Sequence, residues 1–343
     1  MENTKIKVAI NGFGRIGRAF LKIAWDRDDI EIVAINDLGS IESLAYLLKY
    51  DTVYGKWKHN IEKDESNIII DGKKVKFISE KDTTKLPWRE LNIDVVVEST
   101  GFFTSYEKAK FHLDCGAKKV VISAPAKDGD GTITGETILL GVNEEKFGTC
   151  DITSNASCTT NAASPLIGIL DEAIGIEKAI LNTVHGYTAS QSLVDGPNKK
   201  DLREGRAAAQ NIVPSSTGAA IAVTEAYPKL KELFDGISIR VPVVAGSIVD
   251  VTFISKKETT ALEVNEILKK ASKDSRWEKV FSVTDEPLVS SDILGESYAS
   301  IADLALTRVV GGNLVKVMAW YDNEMGYAYT LVEHVIKTGQ SIK

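Results

Sequence analysis

The chain has 343 residues, 43% hydrophobic and 26% charged, and at roughly 100–200 residues per domain that is enough for two cores. Glycine at 26 and proline at 8 exclude a collagen-like or disordered chain, and a formal net charge of −7 argues against nucleic acid or an anionic membrane as the main partner. Cys115, Cys150 and Cys158 show neither CxxC nor Cys/His ligand spacing, so no disulfide framework and no metal site are expected.

The first residues, MENTKIKVAING, enter a strand pattern at once. With no signal-peptide segment and no apolar run near the ~20 residues of a membrane span, the expected location is the cytoplasm, away from membranes. Apolar runs at residues 5–11, 31–35, 94–99, 119–123 and 137–142 predict buried parallel strands alternating with helices, hence a wound α/β sheet. Asn67–Ile70 and residues 74–78 flank Asp71-Gly72 and predict a hairpin inserted into a crossover. Beyond Cys158 a helix pattern at 166–174 is followed by alternating strand candidates at 178–184, 236–241, 248–255 and 314–321, which suit a mixed or antiparallel sheet. Residues 186–213 are long, polar and weakly periodic and read as an ordered functional loop. Residues 328–336 predict a last helix.

Gly12-Phe13-Gly14-Arg15-Ile16-Gly17 follows the first strand directly and opens a helical run. The first glycine permits a tight turn, the second lets backbone approach a pyrophosphate, and the third packs helix on strand. Asp37 follows Gly17 by 20 residues at the end of the second strand, where a carboxylate bonds a ribose 2′-OH. Its charge repels a 2′-phosphate, so NAD is favoured over NADP, with Lys81 able to soften that preference.

Cys158 stands among small capping residues in Ser154-Asn155-Ala156-Ser157-Cys158-Thr159-Thr160-Asn161, ahead of a helix whose N-terminus would favour thiolate. A helix starting there would contain Pro165. Among four histidines, His185 alone ends an apolar strand run and opens the long loop, the placement of a functional group on a rigid element. Groups suited to phosphate gather in the same half: Ser157, Thr159, Thr188, Arg203, Arg206, Ser215-Ser216-Thr217-Gly218 and Arg240. Arg240, flanked by Ile237, Ile239, Val241 and Val243, calls for an anionic partner.

Residues 11–18, 154–161, 185–191 and Trp320-Tyr321-Asp322-Asn323-Glu324, in that order across nearly the whole chain, resemble the phosphorylating glyceraldehyde-3-phosphate dehydrogenases. The resemblance implies a Rossmann-type doubly wound parallel sheet over residues 1–157 and an α+β catalytic domain with a mixed or antiparallel sheet over 158–323. The terminal helix, 324–343, would pack back on the first domain. It further implies NAD-dependent oxidative phosphorylation of D-glyceraldehyde 3-phosphate to 1,3-bisphosphoglycerate through a cysteine hemithioacetal and thioester, in a cytoplasmic homotetramer. Cys158 would be the nucleophile and His185 the base. Ser157, Thr159, Thr217 and Gly218 would hold inorganic phosphate, and Thr188 and Arg240, assisted by Arg203, the substrate phosphate. Gly12, Gly14, Arg15, Ile16, Gly17, Asp37, Lys81, Ser99, Thr100, Ser123 and Asn323 would serve NAD, with Asn323 on the nicotinamide carboxamide.

Two rival readings stand beside this one: an erythrose-4-phosphate dehydrogenase, and a catalytically silent NAD-binding regulatory protein. The sequence departs from the family's commonest pattern at Ala162, where many members carry a second cysteine, at Met325 in place of tryptophan, and at residues 243–246, Val-Val-Ala-Gly in place of Thr-Pro-Asn-Val.

Overall fold

The computed structural model describes residues 5–126, 132–199 and 201–342, which fall into two compact units. The first comprises Met1–Ile138, Glu144–Ala156 and Leu331–Lys343; the second comprises Leu139–Asn143 and Ser157–Thr330.

In the first unit the elements are β1 Ile6–Asn11, α1 Arg15–Ala24, β2 Ile30–Asn36, α2 Ile41–Lys49, β3 Ile61–Lys63, β4 Asn67–Ile70, β5 Lys73–Ile78, β6 Val95–Glu98, the short helices α3 Tyr106–Ala109 and α4 Phe111–Asp114, β7 Lys119–Ile122, β8 Gly135–Thr137 and β9 Ile152–Ser154. Among the described residues they form one sheet in the order β8-β9-β7-β6-β1-β2-β5-β4-β3. Six pairings, from β8 through to β5, are parallel. The chain therefore winds outward from β1 in both directions, and the reversal between β1 and β6 opens a crevice at the carboxyl ends of these strands.

The runs that predict these strands are apolar on both faces because both are covered: Val95, Val96 and Val97 are wholly buried, and Val96 packs in one cluster with Ala9, Ala34 and Trp88. The expected hairpin is present as β4 and β5, with Asp71 and Gly72 at φ 49° and 80° as a two-residue primed turn requires. The strand expected over 137–142 is instead Gly135–Thr137. The apolar residues after it enter a turn in which the Leu139 N–H donates to Asn143 Oδ1 at 2.8 Å and Gly141 takes φ 76°, a conformation that ends a strand.

The second unit contains α5 Cys158–Ile174, β10 Ile176–Gly186, β11 Val213–Ser216, α6 Ala219–Ala226, β12 Phe234–Val241, β13 Ser247–Ser255, α7 Ala261–Ala271, β14 Phe281–Thr284, β15 Ser300–Asp303, β16 Arg308–Val310 and β17 Leu314–Tyr321. Its sheet runs β11-β12-β10-β13-β17-β15-β14, with β16 on β17, and mixes parallel and antiparallel pairs. α5 is apolar nearly all round, is buried from Thr159 to Leu170, and continues through Pro165. The sheet's other face leaves Ile180 58% and Ile237 53% exposed. A last helix, α8 Met325–Gln340, follows β17 and contributes its final turns to the first unit, where Glu333 pairs with Arg27 at 2.9 Å and His334 accepts from Thr153 at 2.7 Å.

Candidate active site

In the first unit Gly12 takes φ 94°, and a Cβ there would fall 2.6 Å from the backbone of Ser99 and Thr100. Only glycine lets the β1 turn lie against the loop after β6. Gly14 N-caps α1 without a side-chain cap and with nothing within 4 Å of a built Cβ, so the space over the helix start is open. At Gly17 a Cβ would stand 2.2 Å from the Gly12 carbonyl oxygen, so the third glycine packs the helix on its own entry turn.

Asp37 ends β2 and accepts the Phe13 N–H at 2.7 Å on one oxygen and the Gly39 N–H at 2.8 Å on the other. It fixes the glycine turn and still has lone pairs to accept ribose hydroxyls. Ser99 donates to the Gly12 carbonyl at 2.7 Å, Thr100 follows it, and Ser123 closes β7 beside them with its N–H on the Glu98 carbonyl at 2.9 Å. Arg15 is held by Asp51 through two hydrogen bonds of 2.9 and 3.3 Å, and Ile16 follows it in the first turn of α1. Lys81 is exposed after β5.

In the second unit Ser157 N-caps α5 by accepting the Thr160 N–H at 3.1 Å, which makes Cys158 the first helical residue. The preceding residue, Ala156, holds φ 53°, a left-handed conformation costing about 1 kcal/mol that turns the chain from β9 into the cap. Cys158 Sγ lies 3.5 Å from His185 Nε2. His185, 3% exposed, bonds the Gly186 carbonyl at 2.6 Å through Nδ1. A carbonyl only accepts, so the proton sits on Nδ1 and the Nε2 lone pair faces the thiol, the tautomer a general base needs.

Burial pushes the Cys158 thiol up, against the pull of Arg240, and lowers His185 to about 3, with Arg240 adding to the effect. The thiolate expected from the helix start is thus opposed by desolvation. Passing the proton from sulfur to imidazole, however, makes a net-neutral ion pair, and the two groups titrate as one.

Arg240 is in register with His185 on the adjacent parallel strand β12, and its buried Nε has no hydrogen-bond partner among the described residues. Its apolar neighbours Ile237, Ile239 and Val241 alternate to the strand's other face, where Ile237 is exposed. Thr188, just beyond His185, bonds Ser190 at 3.0 Å, and Arg203 is exposed on the loop. The start of α6 lies beside that of α5, since Thr160 Oγ1 donates to the Ala219 carbonyl at 3.5 Å, and this brings up Thr217 and the N-cap Gly218, whose Cβ position is open. Asn323, 7% exposed, accepts the Gly246 N–H at 2.9 Å and the Ser247 hydroxyl at 3.2 Å on Oδ1, leaving its NH₂ as the group it offers. Gly246 sits at φ 91° with a Cβ position 2.6 Å from the Ser290 carbonyl, so the usual valine would not fit this turn.

The reading of single motifs missed Tyr321 and Thr183. Tyr321 Oη bridges Thr159 Oγ1 at 2.9 Å and Thr183 Oγ1 at 2.8 Å, and its ring meets His185 edge-on at 5.9 Å. A tyrosine ending an apolar strand inside a recognised motif was the available signal. The long loop bonds to itself: Gly196 to Gly205 at 2.8 Å, Ser192 to Glu204 and Ala208 to Ser192 at 3.0 Å. Leu193, Val194, Leu202 and Ile212 are 71–84% exposed on it. All three cysteines are free, and no metal-holding group of His, Cys, Asp or Glu occurs among the described residues.

Residues 6–106 match the family profile described as glyceraldehyde 3-phosphate dehydrogenase, NAD binding domain, and residues 157–323 match that of the C-terminal domain. The chain is 49% identical over 330 residues to a glyceraldehyde-3-phosphate dehydrogenase of Thermotoga maritima, covering 95% of this chain and 97% of the relative. It is 46% identical over 340 residues to glyceraldehyde-3-phosphate dehydrogenase 2 of Streptomyces avermitilis, covering 98% and 99%. It is also 46% identical over 338 residues to glyceraldehyde-3-phosphate dehydrogenase 2 of Saccharomyces cerevisiae, covering 97% and 99%.

Proposed function

The chain belongs to the glyceraldehyde 3-phosphate dehydrogenase family, and from that premise we propose that it oxidises and phosphorylates D-glyceraldehyde 3-phosphate with NAD, using Cys158 as nucleophile and His185 as base. The observation that carries this reading is the 3.5 Å approach of Cys158 Sγ to a His185 Nε2 whose lone pair is aimed at it. When bound, NAD supplies the acceptor for the hydride that leaves the substrate carbon. Residues of the first unit fit such a cofactor: the Cβ position at Gly14 is open at the start of α1, and Asp37 anchors the same turn while keeping lone pairs for ribose hydroxyls. In the second unit Asn323 offers an NH₂ donor.

Cys158 sulfur adds to the aldehyde carbon as His185 takes the thiol proton. The backbone N–H of Cys158, which has no intrahelical acceptor at the first helical position, and His185 stabilise the oxyanion. His185 returns the proton to the oxyanion, which gives the hemithioacetal hydroxyl, and takes it back as hydride departs, leaving a thioester on Cys158. Inorganic phosphate, held by Ser157, Thr159, Thr217 and Gly218, attacks that thioester and releases 1,3-bisphosphoglycerate. Thr159 Oγ1 is oriented by its 2.9 Å bond to Tyr321 Oη. Thr188 and Arg240, with Arg203 near, hold the substrate's own phosphate.

A substrate panel tests this reading: turnover of glyceraldehyde 3-phosphate should exceed that of erythrose 4-phosphate, and the reverse order would assign the chain to the alternative reaction. A silent regulatory protein would leave the Cys158/His185 pair and the unpartnered Arg240 without use. At Asp37, replacement by alanine removes charge-assisted bonds of about 1.5–3 kcal/mol. NAD affinity is expected to fall and relative use of NADP to rise; an unchanged NAD/NADP ratio in steady-state kinetics would remove Asp37 from the ribose site.

We also read the first unit with the terminal helix turns as the cofactor domain and the second as the catalytic one, in a cytoplasmic homotetramer. No helix among the described residues is long and apolar enough to cross a membrane. The exposed apolar side chains on the 186–213 loop and on the outer sheet face support self-association. Light scattering at micromolar concentration should give four times the 37.3 kDa chain mass; a 37.3 kDa particle would contradict the tetramer.

A further inference from the structure

Trp88 and His112 are fully buried, and Glu98 is 2% exposed, yet none of them belongs to the proposed mechanism. They form one end of a buried polar chain in the first unit. Trp88 Nε1 donates to His112 Nδ1 at 2.9 Å, and His112 Nε2 meets Glu98 Oε2 at 3.0 Å. From the other side Asn36 Oδ1 accepts the Glu80 N–H at 2.9 Å, Asn36 Nδ2 donates to Asn11 Oδ1 at 2.8 Å, and Asn11 Nδ2 donates to Glu98 Oε2 at 2.6 Å.

The proton placement is determined at both ends. An indole N–H can only donate, so His112 Nδ1 is bare and its proton lies on Nε2, directed at Glu98. Burial, which lowers His112, keeps that imidazole neutral. A peptide N–H likewise can only donate, which fixes the amides of Asn36 and then Asn11. Both arms therefore donate toward Glu98. Its second oxygen takes the Thr100 N–H at 2.9 Å and the Thr100 hydroxyl. The carboxylate is an anion held by four neutral donors with no cation in the set.

The strand-end members of this chain, and Glu80 just beyond β5, directly precede residues assigned to NAD: Asn11 before Gly12, Asn36 before Asp37, Glu80 before Lys81, and Glu98 before Ser99 and Thr100. We propose that Glu98, oriented by the Trp88–His112 arm and the Asn11–Asn36 arm, is a positioning residue that locks the ends of β1, β2 and β6 and the segment just after β5 in one register. The proposal rests on the NAD-site reading above. Glu98 touches no cofactor in this account and acts through Gly12, Thr100 and Asp37.

Glutamine has the carboxylate's size, but whichever way its amide turns, the NH₂ faces either the two Thr100 donors or the Asn11 and His112 donors. Glu98→Gln should weaken binding of both NAD and ADP-ribose by about tenfold to a hundredfold in isothermal titration. The alkylation rate of Cys158 in the NAD-free protein should match the parent, which a general loss of structure would not allow. Should Glu98→Gln fail to fold, Asn36→Leu breaks the other arm without adding charge and must show the same paired loss. Asp37→Ala serves as the control. If Asp37→Ala loses affinity while folded Glu98→Gln or Asn36→Leu keeps the parental dissociation constants, the positioning role is overturned and the NAD site stands. If Asp37→Ala also binds as the parent does, the site reading falls and the proposal with it.

Discussion

Replacing His185 with asparagine is expected to slow turnover by roughly 10²- to 10⁴-fold and to slow iodoacetamide alkylation of Cys158 at neutral pH. The direction follows from the environment of the thiol. Burial pushes Cys158 up, so without a base the sulfur stays protonated at pH 7 and the thiolate grows only as pH climbs through that raised value. In the proposed mechanism His185 Nε2, at 3.5 Å, takes the proton in the parent protein. The ratio of parental to variant alkylation rates should therefore be largest near neutrality and shrink as pH rises. Cys115 and Cys150 are internal references, since burial raises both and their thiols donate to the carbonyls of Thr83 and Ile152. Peptide mass spectrometry of the labelled protein should find Cys158 modified well before either, and equal labelling of all three would sink the nucleophile assignment.

Arg240→Leu should damage turnover of glyceraldehyde 3-phosphate far more than that of unphosphorylated glyceraldehyde. The guanidinium stands in register with His185, and its buried Nε has no hydrogen-bond partner among the described residues, so the charge calls for an anion. A phosphate monoester supplies that anion through charge-assisted bonds, and their loss corresponds to about 2–4 kcal/mol in kcat/KM, roughly 30- to 1000-fold. Leucine retains much of the stem's apolar contact. If both aldehydes suffer equally, Arg240 supports the local fold and the substrate phosphate binds elsewhere.

What the sequence made legible follows from periodicity and chemistry at close range. The central strands β1, β2, β6 and β7 announce themselves because both faces are covered and their residues are apolar without alternation. β9, β14, β15 and β16 are as short as β6 and β7 but lack a continuous apolar run, and their pairing depends on partners far along the chain. The same contrast divides the site. Gly12–Gly17 and Asp37 are one supersecondary unit and could be read from spacing alone. Cys158 and His185 are 27 residues apart, and their approach exists only because the second sheet places the end of β10 beside the cap of α5. Glu98 gave no signal: a charge at the end of a valine run looks like the onset of a loop until its four donors are seen.

The central claim is that a thioester on Cys158 is resolved by inorganic phosphate. The most direct measurement follows NADH formation from glyceraldehyde 3-phosphate and NAD with and without added phosphate. With phosphate, NADH should form steadily. Without it, a burst stoichiometric with Cys158 should be followed by near arrest, because the buried acyl enzyme is shielded from water. Steady NADH formation at the same rate in both conditions would show that phosphate is no substrate, and no NADH in either would contradict the dehydrogenase assignment itself.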